Sequence, residues 1–246
     1  MDKLSIAGLI IALFAIYLGF TIEGGTFSTL FELPAFIIVF GGTLGAVMLQ
    51  SSVAQFFHAL SLLKWVFKTP IFDTEKGIEN ITMWAEKARE AGFLALEDIA
   101  LNEEDPYIEK GLNLLVDGAE LDNIRVSMEL ELDITREHNL RSAAIFESMG
   151  GYSPTIGILG AVLGLIQAMG QLNNPELLGD GIATAFIATI YGVGFANLLY
   201  IPIANKIRAI VHNQSLYREM MLEGIISIAN VEHPRAIENK LSAFRL

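Results

Sequence analysis

Four long uncharged stretches, rich in apolar residues, alternate with polar segments along this chain of 246 residues. They cover Leu4–Ile22, Leu33–Gln50, 148–175 and 181–205. A helix needs about 20 mostly apolar residues to cross the hydrocarbon core of a bilayer. The pattern therefore predicts four membrane-spanning helices, numbered span 1 to span 4. A cleavable signal peptide is the alternative for span 1, but its apolar run is long for one and no small-residue cleavage site precedes Glu23.

The segments between and after the spans show the pattern of amphipathic helices. Apolar residues recur at intervals of three and four, in Ile78, Ile81, Trp84, Ala85 and Ala88 and again in Leu112, Leu115 and Val116. We therefore expect an all-α integral membrane protein with a helical cytoplasmic domain between spans 2 and 3 and a helical C-terminal tail. The expected divisions are 1–50 (spans 1 and 2), 51–147 (cytoplasmic domain), 148–205 (spans 3 and 4) and 206–246 (tail).

The distribution of Lys and Arg predicts the orientation in the bilayer, because positive charges near span ends stay in the cytoplasm. All sixteen lie on one side of the four-span arrangement: Lys3, nine from Lys64 to Arg141, and six from Lys206 to Arg245. The connections 23–32 and 170–180 contain none. We expect a multi-pass protein of the bacterial inner membrane with both termini in the cytoplasm.

The remaining composition excludes several classes of function. From Asp73 to Glu147 there are nineteen Asp or Glu against seven Lys or Arg, which disfavours nucleic acid and suits a partner with positive charge, or else keeps helix faces soluble. The chain has no Cys, and its four His show no metal-ligand spacing. No phosphate loop, nucleophile elbow or dinucleotide fingerprint is present. The sequence therefore predicts neither an enzyme nor a cofactor or metal site.

Spans 3 and 4 each carry a stripe of small residues at helical spacing. The stripes are Gly157, Gly160, Ala161 and Gly164, and Ala185, Ala188, Thr189, Gly192 and Ala196. Small residues let helix backbones approach closely, so both faces should contact other helices, of this chain or of another. Neither span contains an ionisable residue, whereas proteins that relay protons alone carry one within the membrane. If ions cross here, another polypeptide must supply the titrating group.

Two prolines lie near the cytoplasmic ends of these spans, Pro154 at the start of span 3 and Pro202 at the end of span 4. Proline removes a backbone donor and loosens a helix locally. The pair is either a hinge or a pair of helix terminators.

These residues resemble the MotA-type subunit of the flagellar stator, including its sodium-driven PomA relatives, over essentially the whole chain. The resemblance is carried by Gly41-Gly42-Thr43, the segment 88–97 (AREAGFLALE), Lys110-Gly111, Val116-Asp117-Gly118, Pro154 with Gly157, Gly160 and Gly164-Leu165, and the run 185–192 (AFIATIYG) ending at Pro202. An energiser of the ExbB or TolQ type is the alternative, and it would have three spans and lack the segment 88–97. A self-sufficient carrier or channel is a further alternative, which the lack of intramembrane charge disfavours.

The resemblance implies that five copies surround two copies of a single-span MotB-type partner, whose transmembrane aspartate carries the ion. Thr189 then lines the ion path, and Pro154 and Pro202 couple ion passage to movement of the cytoplasmic part. Arg89 and Glu97 then bind the rotor switch protein FliG, and Glu90 and Asp98 are expected to take part in the same contact.

The ion can be argued from one position in span 3. Sodium-driven relatives carry a threonine where this chain has Ala161. Sodium requires oxygen ligands as it sheds its water, and a methyl group supplies none. The resemblance therefore implies a stator driven by protons.

Overall fold

The computed structural model describes residues 3–173 and 175–245, and its secondary structure there is entirely helical. Four residues lie outside this description, namely Met1, Asp2, Asn174 and Leu246. The description therefore does not cover the outermost ends of the predicted segments 1–50 and 206–246, or one position of the connection 170–180. The α-helices are α1 (Lys3–Ile22), α2 (Leu33–Phe36), α3 (Gly42–Gln50), α4 (Val53–Phe67), α5 (Thr74–Ala91), α6 (Glu97–Leu101), α7 (Pro106–Val116), α8 (Leu121–Gly170), α9 (Pro175–Phe195), α10 (Ile201–Ala229) and α11 (Pro234–Leu241). Two π-helical turns join α2 to α3 and α9 to α10, at Ile37–Gly41 and Ala196–Tyr200.

Four described helices are long and apolar enough to cross a membrane, in Leu4–Ile22, Leu33–Gln50, Leu121–Gly170 and Leu178–Ala229. The predicted four-span, all-α fold is therefore confirmed. Spans 3 and 4 are parts of longer helical segments that continue into the polar residues before span 3 and after span 4. Pro154 lies inside α8 without ending it.

The chain divides into two compact units. Unit 1 comprises Met1–Thr69 and Leu140–Arg208, and unit 2 comprises Pro70–Asn139 and Ala209–Leu246. Unit 1 contains the four apolar stretches, and its acidic and basic residues balance. Unit 2 carries 22 Asp or Glu against 10 Lys or Arg, so the whole formal charge of −12 belongs to it.

The core of unit 2 is built on the apolar stripe predicted for α5. Asp73 caps this helix by accepting a hydrogen bond from the Lys76 backbone N–H at 3.1 Å, which satisfies a donor at the helix start. The predicted stripe is buried against residues of α7, α8, α10 and α11, with Ile78, Ile81 and Trp84 at most 2% exposed. The amphipathic pattern of this segment is therefore confirmed.

A half-buried ion pair sits at the edge of this core. Arg218 of α10 donates to both carboxylate oxygens of Asp105, at 3.0 and 3.4 Å, and its guanidinium carbon lies 4.9 Å from the centre of the Tyr107 ring. Burial raises the pKa of Tyr107 far above its ordinary value, and Arg218 opposes the shift only in part. The contact joins the first turn of α7 to α10 by charge as well as by packing.

Candidate functional site

Spans 3 and 4 meet through backbone atoms at four glycines, Gly157, Gly164, Gly181 and Gly192. A methyl group added at Gly192 would lie 2.7 Å from the Ser153 carbonyl oxygen and 3.0 Å from the Gly157 Cα. One added at Gly157 would lie 2.8 Å from the Ala188 carbonyl oxygen, and one at Gly164 would lie 2.7 Å from that of Gly181. Real side-chain carbons do not come this close, so only glycine allows the observed approach.

The two predicted stripes of small residues therefore contact each other within one chain. The sequence left open whether these faces contact helices of the same chain or of another chain. For the glycines, the structure shows contact within the same chain. Span 2 joins the same cluster, because a methyl group at Gly160 would lie 2.8 Å from Ala188 Cβ and 3.3 Å from Ile38 Cγ2. Ala35 and Val39 of span 2 pack against Ala188.

The two predicted ion-path residues border this contact at the same level. Ala161 follows Gly160 and Thr189 follows Ala188, and both are half-buried in the single chain. The Thr189 hydroxyl donates to the Ala185 carbonyl oxygen at 3.3 Å, one turn earlier in its own helix. Each side chain thus keeps part of its surface for a group outside the chain, and Thr189 retains the lone pairs of its hydroxyl oxygen as acceptors.

The two predicted coupling prolines sit in different helical settings. Pro154 packs on span 4, where a methyl group at Gly192 would lie 3.2 Å from its Cα, and the α-helix continues through it. Pro202 is exposed and directly follows the π-helical turn Ala196–Tyr200 and Ile201. Proline has no N–H to donate to the preceding helical turn, and its ring clashes with a carbonyl of that turn. The wider π-helical turn makes room for Pro202.

An ion pair joins the start of span 3 to the end of span 4. Both guanidinium NH2 groups of Arg208 donate to the Glu147 carboxylate, one of them at 3.2 Å. These hydrogen bonds hold the pKa of Glu147 below its ordinary value. A planar, two-point contact of this kind fixes orientation better than a Lys would.

A polar cluster at the other end of the spans was not predicted from the sequence. The Thr184 hydroxyl lies 3.0 Å from Glu32 Oε1, and also 3.0 Å from the carbonyl oxygen of Asp180, to either of which it can donate. The Tyr191 hydroxyl donates to the Leu30 carbonyl at 2.5 Å and accepts from the Glu32 N–H at 3.2 Å. These bonds tie the start of span 2 to span 4. Contacts between residues more than 150 positions apart leave no local sequence signal.

The four residues predicted to face the rotor lie on both sides of one sharp turn in unit 2. Arg89 and Glu90 end α5, and Glu97 and Asp98 begin α6. Between them Gly92 has φ +81, a conformation that suits glycine, and a 3-10 turn covers Phe93–Leu96.

All four side chains are exposed. Within the part of the chain that the structure describes, none of them forms an ion pair. Other charged residues of unit 2 do, among them Lys110–Glu131, Arg125–Glu129, Arg136–Asp133, Arg136–Glu219, Arg218–Asp105, Lys240–Glu223, Lys240–Glu232 and Arg245–Glu75. The turn therefore presents charges of both signs that are available to a partner.

Comparisons with known proteins agree with this architecture. The chain matches the family model of the MotA/TolQ/ExbB proton channel family over residues 100–220 and that of the Motility protein A N-terminal region over residues 6–92. Motility protein A of Bacillus subtilis (strain 168) is 35% identical over 98% of this chain and 90% of the relative. Chemotaxis protein PomA of Vibrio alginolyticus is 29% identical over 99% of this chain and 95% of the relative. The solved structure of C. jejuni MotAB superposes with a TM-score of 0.94 at 32% identity and covers 99% of this chain and 96% of that one.

Four apolar helices, two of which pack closely through small residues, define an integral membrane protein of the helical class. The chain belongs to the MotA/TolQ/ExbB proton channel family, and within it to the flagellar stator subunits of the MotA and PomA type. The four spans and the named relatives support this function over an energiser of the ExbB or TolQ type. The predicted function as a stator subunit is confirmed.

Proposed function

We propose that this stator subunit is driven by protons and that five copies of it surround two copies of a single-span MotB-type partner. The observation that carries the proposal is the composition of the span 3–span 4 contact, which includes the polar Thr189 but no Asp, Glu, His, Lys or Arg. A titrating aspartate must then come from the partner. The related C. jejuni structure is of a MotAB complex, which supports a partner of this class.

Ala161 and Thr189 are the residues proposed to face the ion. Thr189 offers an oxygen to water or to the partner's carboxylate, whereas Ala161 offers a methyl group. A proton needs only a carboxylate and water, but sodium needs several oxygen ligands to replace its hydration shell. The half-buried position of both residues beside Gly160 and Ala188 supports their contact with a neighbouring chain.

Torque is proposed to pass from spans 3 and 4 to the cytoplasmic residues 51–147 and 206–246. In this account Pro154 and Pro202 are the points at which the helices change shape. The protein lies in the bacterial inner membrane, and both termini of its chain lie in the cytoplasm. The distribution of Lys and Arg supports this orientation.

The rotor switch protein FliG is the proposed partner of Arg89, Glu90, Glu97 and Asp98. Their exposure and their lack of ion pairs in the described chain support this role. Exposed ion pairs contribute only about 0 to 1 kcal/mol each, so several such contacts would form and break rapidly during stepping.

The ion assignment is tested by co-expressing this chain with its single-span partner in a host that lacks its own stators. Swimming speed should follow the proton gradient and be unaffected by external sodium at fixed proton-motive force. Thr189→Val should abolish motility, and the matched Thr189→Ser, which keeps the hydroxyl, should retain it. Speed that follows sodium would refute the ion assignment and leave the stator function in place.

The rotor contact is tested separately by charge reversal on α5. Arg89→Glu should strongly reduce motility, while Lys76→Glu makes the same change of charge at the other end of the helix, about 20 Å away, and should be tolerated. Lys76 is an apt control because it is also exposed and forms no side-chain ion pair in the described chain. Equal effects of the two variants would contradict a specific contact at Arg89.

A further inference from the structure

Helix α10 ends in a turn that strains one residue. The Glu232 N–H donates to the Ser227 carbonyl at 3.1 Å and the Val231 N–H to that of Ile228 at 2.9 Å, the paired hydrogen bonds of a Schellman motif. The motif places Val231 at φ +56, the left-handed region. Glycine usually occupies this position, and a β-branched residue there is a clear outlier.

The strain is not compensated by burial, since the Val231 side chain is 64% exposed. Among the described residues, Val231 is the one residue other than glycine with positive φ. Residues held in unfavourable backbone conformations concentrate at binding sites, where the side chain itself is needed. An exposed, strained, apolar side chain therefore points to a contact that the isolated chain does not make.

Val231 lines a pocket of about 230 Å³ that opens beside the rotor-facing turn. Its apolar wall includes Phe93 and the almost fully buried Ile228, and its rim carries Arg89 and Glu232. Glu232 has Lys240 at 3.8 Å, whereas Arg89 forms no ion pair in the described chain. The pocket thus combines an apolar interior with one free positive charge and one negative charge.

We propose that this pocket, formed by Arg89, Gly92, Phe93, Ile228, Val231 and Glu232, receives an apolar side chain of the rotor switch protein. The inference rests on the proposed rotor contact of Arg89, with which the pocket is continuous. The charges at the rim of the pocket indicate which groups should flank the apolar side chain of the rotor switch protein. An acidic group of the rotor segment pairs with Arg89, and a basic group faces Glu232 on a unit whose formal charge is −12.

The test separates stability from binding, because the strain and the contact belong to the same side chain. Val231→Gly relieves the strain and removes the apolar contact. In the purified complex with the MotB-type partner, it should raise the melting temperature by about 2 °C. It should also weaken binding of the purified rotor switch protein roughly tenfold, as expected for losing one buried valine side chain. Val231→Asn, which also tolerates positive φ, should weaken binding similarly.

Val126→Ala is the control for trimming an exposed apolar side chain, since Val126 on α8 is 62% exposed and does not line the pocket. It should leave rotor binding unchanged. If Arg89→Glu weakens binding and Val231→Gly does not, the pocket is not a rotor site and the proposed function stands. If neither variant weakens binding, the rotor contact of this turn is itself refuted. A lower melting temperature for Val231→Gly, or a change confined to assembly of the stator, would also overturn the inference.

Discussion

Gly192→Ala is the sharpest test of the span 3–span 4 contact. The added methyl group would lie 2.7 Å from the Ser153 carbonyl oxygen and within 3.2 Å of the Cα atoms of Gly157 and Pro154. All three atoms belong to the backbone and cannot rotate away. An ordinary contact begins near 3.4 Å, so the two helices must separate by about 0.7 Å. Overpacking of this kind costs about 1 to 3 kcal/mol, which corresponds to roughly five- to 150-fold in a folding or assembly equilibrium.

Gly194→Ala is the matched control two residues further along the same helix, because no atom lies within 4 Å of a methyl group added there. The assay is the melting temperature of the detergent-solubilised complex with the MotB-type partner, followed by swimming speed in a stator-deficient host. Gly192→Ala should lower both, and Gly194→Ala should lower neither. Equal stability of the two variants would refute the argument that backbone contact at Gly192 holds the spans together.

Two further predictions concern charge. Arg218→Met leaves the half-buried Asp105 unpaired and should destabilise the complex by about 3 kcal/mol in chemical unfolding. The control Arg125→Met removes a more exposed ion pair within one helix and should cost less than about 0.5 kcal/mol. Similar costs for the two variants would contradict the role given to burial. Arg208 lowers the pKa of Glu147 below its ordinary value of 4.5. The Glu147–Arg208 ion pair therefore stabilises the folded protein above pH 4.5, and this stabilisation is lost as the pH falls through the lowered pKa. Glu147→Gln should remove that part of the acid destabilisation in melting curves, and an unchanged pH profile would refute it.

Hydropathy and periodicity were sufficient to predict the fold. Spans 1 to 4 are recognisable because a bilayer demands long apolar helices, and the stripe around Ile81 and Trp84 is recognisable because one face of an amphipathic helix must be buried. The small-residue stripes indicated helix contacts but could not identify the neighbour. Gly157 and Gly192 lie 35 positions apart, and only three-dimensional packing shows that they meet.

The features that the sequence did not reveal depend on distant contacts or on exceptions to local preference. Glu32 and Thr184 are hydrogen-bonded across 152 positions. Val231 occupies the place where a helix end favours glycine, so the usual glycine signal for that turn is missing. The helix α8 also passes through Pro154, although proline within a pattern normally predicts an end or a kink. At Pro154, packing against span 4 overrides the local rule, whereas the exposed Val231 gains no such compensation within the chain.

The backbone contact between spans 3 and 4 has a mechanical consequence for the proposed torque. Flexible side chains between two helices absorb a displacement by changing rotamer, but carbonyl oxygens and Cα atoms cannot. Spans 3 and 4 should therefore move together when the partner's carboxylate changes charge. Helix α8 continues from Gly157 back to Leu140 over about 25 Å and passes through Pro154, so a displacement at the glycine contact reaches the proposed point of shape change within the same helix. Gly192→Ala should then reduce torque per ion even where the complex still assembles.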